Sequence, residues 1–142
     1  MGFEITLFTV EEANELAREL EPELDRLVNL KAELDRLEVR CEVLRLTVSA
    51  GGGEQGPEAR ELRELQGLRA TRAAETAGGV EAIHERGCLL KDLDVGLLDF
   101  YALRGDRLVF LCWKRGEAEV HHWHSLDGGF AGRLPLDASE LE

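Results

Sequence analysis

The chain has 142 residues, of which 32% are charged, and a formal net charge of −12. That length fits one domain, residues 1–142. Nucleic-acid binding needs Lys and Arg laid along a phosphate path. Here bases interleave with acids, as in RELEPELDRL, which reads as a solvated helix face, excludes a phosphate track and disfavours an anionic membrane surface.

Residues 3–8, FEITLF, alternate apolar and polar and predict a short half-buried strand. Thr9 followed by Val10, Glu11 and Glu12 is a capping box, with the hydroxyl and the Glu12 carboxylate each satisfying an orphan amide. It opens a predicted helix over residues 10–48. Leu16, Leu20, Leu24, Leu27, Leu30, Leu34, Leu37, Cys41 and Leu44 recur at steps of three and four, a coiled-coil-like seam. Pro22 removes one backbone donor and predicts a bend near residues 18–22.

Residues 49–57, SAGGGEQGP, predict a flexible Gly-rich loop that lacks the Lys and Ser/Thr of a phosphate-binding loop. Pro57 suits the first position of a second helix, residues 58–86, which closes at Gly87. Its middle, ATRAAETAGG, is small and polar, and Gly78-Gly79 weaken it. The two helices form an antiparallel hairpin.

From Gly87 onward the period becomes two, which predicts a β region over residues 88–136. Cys88–Leu93, Leu97–Leu103, Arg107–Trp113 and Glu119–His124 read as strands, with turns at Gly105-Asp106 and around Gly116. Residues 125–136 read as an ordered loop and residues 137–142 as a mobile tail. The fold class is therefore α+β: a long helical hairpin with a small, mostly antiparallel sheet and a short N-terminal strand.

Cys41, Cys88 and Cys112 are an odd set with no CxxC pair. The N-terminus has no basic stretch ahead of an apolar run, and no segment reaches the roughly 18 apolar residues of a spanning helix. Free thiols in a reducing cytoplasm are the expectation.

Chemistry-bearing residues gather in the β region. Folding the hairpin about Gly116 sets Cys112 opposite Val120 and Phe110 opposite His122. Cys112, His122 and His124 then share a face, and two His with one Cys suit zinc or another transition metal. Asp99, Glu117, Asp127, His124 and Arg133 are the ligand-binding candidates. An acid–His pair can move protons, and Arg can clamp a carboxylate or phosphate. The plainer reading has Asp127 closing a turn and Arg133 pairing with an acid to pin the loop. Trp113 and Trp123 fall on the other face, as core residues. His84 and Cys88 are separated by Gly87 and make no ligand pair. Without GxSxG or a Ser-His-Asp order, nucleophilic hydrolysis has no support.

GLLDFYAL, LCWKRGE and WHSLDGGFAGR, together with LFTVEEANEL near the start, resemble the bacterial domain-of-unknown-function 2203 family. The matching positions are Gly96, Asp99 and Phe100, then Cys112, Trp113, Gly116 and Glu117, then Trp123, His124, Asp127, Gly129, Phe130, Gly132 and Arg133. Tyr101 stands where the family often has Pro, and His121 and His122 fall outside the pattern. The resemblance implies a small bacterial cytoplasmic protein with long helices and a small C-terminal β region. It implies no activity.

Two functions fit. One is a non-enzymatic, homodimeric interaction or scaffold protein, with a further protein partner allowed, motivated by the Leu seam. The alternative is a metal- or small-ligand-binding protein, enzyme or not, with its site at the sheet–loop corner.

Overall fold

A computed structural model describes residues 4–137. Helix α1 spans Val10–Thr47 and opens on the Thr9–Glu12 capping box with both reciprocal bonds in place. It runs unbroken through Pro22. The helical path does not end where the glycines begin. A wider π-type turn, Val48–Gly52, carries the helix on, and Gly51 leaves it at φ +134°. The expected loop over residues 49–57 is thus shortened to the few residues before Pro57. Helix α2, Pro57–Glu85, returns alongside α1. Arg40–Glu61 and Arg72–Glu33 tie the two together across the hairpin.

Gly79 explains how a partner so poor in large side chains can cover α1. A Cβ built there would lie 2.5 Å from Leu27 Cδ2. The missing side chain lets α2 approach until Leu27 fills the space. The glycine that weakens the helix in isolation is what seats it on its partner.

Five antiparallel strands follow in a meander: β1 Leu89–Asp92, β2 Leu97–Arg104, β3 Arg107–Lys114, β4 His122–His124 and β5 Leu134–Pro135, adjacent in that order. The inner face of the sheet carries Leu98, Phe100, Ala102, Val109, Leu111 and Trp113, which form one core with Leu16, Leu20, Leu24 and Leu27 of α1. Trp123 packs against the same core. The proximal Leu seam is therefore spent inside the chain. At the β1–β2 turn, Gly96 adopts φ +82°, and a Cβ would meet Arg115 Cβ at 3.0 Å and Leu24 Cδ2 at 3.3 Å. Only glycine lets this turn lie against α1.

Three expectations are corrected. Residues 4–8 do not join the sheet as a strand, and Phe3 lies outside the described residues. Phe8 N–H donates to the Tyr101 carbonyl at 2.7 Å. Strand β1 pairs with β2 only as far as Asp99, so this edge of β2 is open to Phe8. Helix α1 starts immediately afterwards and leaves room for little more. Second, β4 is shorter than Glu119–His124, because Val120 N–H turns to Asn14 Oδ1 of α1 at 2.6 Å. Third, the β3–β4 register places Cys112 opposite His122 and Phe110 opposite His124, two residues beyond the expected pairing. A shift of two preserves which face each side chain occupies. The 125–136 segment also contributes β5, paired to β4 through His122–Pro135 and Trp123–Leu134. In the tail, residues 138–142 lie outside the described residues.

Candidate metal and ligand site

The outer face of the sheet, away from the helices, carries an unusual set. Asp99 on β2 lies directly opposite Cys112 on β3, and His124 on β4 lies opposite Phe110. Three adjacent strands thus each offer one donor. One ligand atom from each of Asp99, Cys112 and His124 falls within 4.8 Å of the others, and all three residues are buried. The segment from Ser125 to Arg133 folds back over this face.

The hydrogen bonds define the chemistry. His124 Nδ1 meets the Ser125 carbonyl oxygen at 2.7 Å. A carbonyl only accepts, so Nδ1 carries a proton. His124 Nε2 then faces Asp99 Oδ2 at 3.0 Å. Asp99 is 3% exposed and His124 2%, so this contact is shielded from water. A ring anchored through Nδ1–H to a backbone carbonyl, with Nε2 directed at other donors, is how proteins commonly hold a metal-binding imidazole. Tetrahedral zinc at ~2.0–2.3 Å from its ligands separates neighbouring donors by about 3.4 Å. The 3.0 Å contact needs to open by only a few tenths of an ångström.

Cys112 completes the set. Burial pushes its thiol up to about 11, the nearby Asp99 charge adds to this, and Arg133 opposes it. Without a metal the sulfur is a buried thiol; a cation would displace its proton on binding. Arg133 Nη1 is 3.9 Å from the sulfur.

Arg133 and Glu117 serve the loop. They pair bidentately at 3.1 and 2.7 Å, and the guanidinium stacks on Phe130 at 4.5 Å. Burial alone would raise the Glu117 carboxyl, but the bonds from Arg133 and the Lys114 amide outweigh it and hold it below the usual carboxylate range. This latch closes the loop over Cys112. Asp127 accepts from Ser125 Oγ at 2.8 Å and lines a cavity of about 200 Å³ shared with Asp99, Cys112, His124, Lys91 and Phe130. His122, expected with the metal set, turns instead toward Glu117. Its Nδ1 lies 3.8 Å from Glu117 Oε2 and is buried without a hydrogen-bond partner. His121 is exposed.

The structure therefore brings together Asp99, Cys112, His124 and Asp127 and assigns Arg133 and Glu117 to each other. Reading the sequence missed Asp99 as a partner of Cys112, because that needs the β2–β3 register. It also missed Lys91, which looks like an ordinary strand lysine.

Among the described residues, no helix is long and apolar enough to cross a membrane. Comparison with curated proteins and with solved structures gives no match. A family model described as an uncharacterized conserved protein, DUF2203, matches residues 6–136, nearly the whole chain and all of the motifs that build this corner; the chain belongs to that family.

Proposed function

We propose that this protein binds a single transition-metal ion, with zinc the best match, through Asp99, Cys112 and His124. One observation carries the reading: His124 Nδ1 is committed to a backbone carbonyl, which leaves Nε2 aimed at a buried carboxylate beside a buried thiol. Imidazole and thiolate select zinc and its softer neighbours over magnesium or calcium. Elemental analysis of the purified chain, joined to a native mass spectrum, should find one metal per chain. Cys112→Ala should abolish it or weaken it roughly 10–100-fold or more, as loss of metal-site partners does. Cys88→Ala, which removes a buried thiol of the core that is not in the ligand group, should leave it unchanged. A metal-free wild type after zinc loading, or equal retention in both variants, would refute the proposal.

A second reading, self-association of two copies, has its own observation. Val39, Val43 and Leu46 are 67%, 46% and 54% exposed and follow one another at helical spacing near the hairpin tip. The row is short and flanked by Asp35 and Arg36, charges of opposite sign, so that the Asp35 of one copy can face the Arg36 of the other across a two-fold axis. Light scattering at micromolar concentration should give twice the chain mass, reduced to one chain by Val43→Asp. A single-chain mass for the wild type would end this reading.

A further inference from the structure

We propose that the metal held by Asp99, Cys112 and His124 keeps one coordination position open, and that a small monocarboxylate fills it, with its second oxygen on Lys91. This rests on the metal reading above and says what the metal is for.

The sheet supplies three donors, one from each of β2, β3 and β4, and among the described residues these three form the whole of the ligand group. Zinc sites that hold three protein ligands leave the fourth position to water or to a bound molecule. Here that position adjoins the cavity of about 200 Å³ under the loop. Such a volume lies below the ~300–1,000 Å³ typical of pockets for drug-sized ligands, so the occupant is small.

Charge narrows its class. A divalent metal with one carboxylate and one thiolate is neutral as a unit. Lys91 adds a single positive charge at the cavity rim, its Nζ 5.1 Å above the Phe110 ring, and that ring lies 5.4 Å from the His124 ring. With Asp127 counted the wall is neutral as a whole, so the pairing is local, and Lys91 can hold one anionic oxygen. Asp127 on the same wall opposes a dianion such as phosphate. The remaining wall is apolar: Leu97, Phe110, Leu126 and Phe130. Leu126 and Phe130 are both exposed, large apolar surfaces at the cavity mouth that an apolar tail would cover. A carboxylate with a short hydrocarbon tail meets each of these features.

The full-length, reduced chain loaded with cobalt(II) provides the test, since cobalt replaces zinc and its visible bands report coordination. Butyrate should shift those bands saturably. Inorganic phosphate at the same concentration should do so more weakly. Lys91→Met should weaken butyrate roughly ten-fold, the loss expected of one charged hydrogen bond, while cobalt affinity stays unchanged; Lys91→Arg should restore most of it. Bands indifferent to butyrate would overturn the proposal while leaving the metal site standing. So would bands that become responsive only in Asp127→Asn or His122→Gln, because the fourth donor would then be protein. Phosphate binding more tightly than butyrate, or Lys91→Met binding butyrate like wild type, would overturn the assigned class. If cobalt binds without a thiolate charge-transfer band, or not at all, the metal reading itself fails and this one with it.

Discussion

His124→Ala should destabilise the fold by roughly 3–5 kcal/mol, the usual cost of breaking a buried ionisable pair by deleting one partner. The physical reason is what the deletion leaves behind. Asp99, 3% exposed, would keep the Cys112 thiol nearby but lose the ring nitrogen at 3.0 Å, and water entering from the adjoining cavity would compensate only in part. The ring also packs on Phe110, so a cavity adds to the loss. Urea unfolding followed by the fluorescence of Trp113 and Trp123 would read the effect. Asp99→Leu with His124→Phe, which removes both polar partners, should be markedly less harmful than the sum of the single changes. Strict additivity would mean that the two residues are not a pair. A buried polar pair that stability could do without is also a reason to look for a ligand.

Leu27→Asp should abolish folding. Leu27 is wholly buried and in the core with the sheet, and Gly79 leaves no slack around it. An unpaired buried carboxylate costs several kcal/mol before any packing loss, and Leu→Ala at such a site costs about 2–5 kcal/mol. A domain held by ~5–15 kcal/mol does not absorb both. Circular dichroism should show lost helix for Leu27→Asp and a native spectrum for Val43→Asp, since a surface change of that kind usually moves stability within about 0.5 kcal/mol. A folded Leu27→Asp would mean that the seam faces outward. The contrast also separates the two halves of α1: Leu16, Leu20, Leu24 and Leu27 are core, while Val39, Val43 and Leu46 are exposed.

The helical hairpin was legible because its signals are local. Thr9 and Glu12 cap it, the Leu spacing repeats, and Pro57 opens the return helix. The strands were legible for the same reason, as a change of period after Gly87. What the sequence could not say is what covers the seam. Leu16 through Leu27 pack on strands some 70 to 90 positions later in the chain, and α2 looked too small to be a partner until Gly79 was seen as a contact. Residues 3–8 have a strand's alternation, but the available edge of β2 begins only past the end of β1.

The site was half legible. Cys112 and His124 could be placed on one face by alternation, and the two-residue register error left that face intact. Asp99 joined them only through the Asp99–Cys112 pairing of β2 with β3. His122 shares the face, but the Arg133–Glu117 pair brings a carboxylate near it. That pairing depends on a loop conformation no periodicity encodes.

A crystal of the zinc-loaded chain, measured at the zinc absorption edge, tests the Asp99–Cys112–His124 site most directly. One anomalous peak should lie about 2.0–2.1 Å from His124 Nε2, about 2.0–2.2 Å from an Asp99 carboxylate oxygen and about 2.3 Å from Cys112 Sγ. Zinc found elsewhere, for instance between His122 and Glu117, with Asp99 and His124 still bonded to each other, would contradict it.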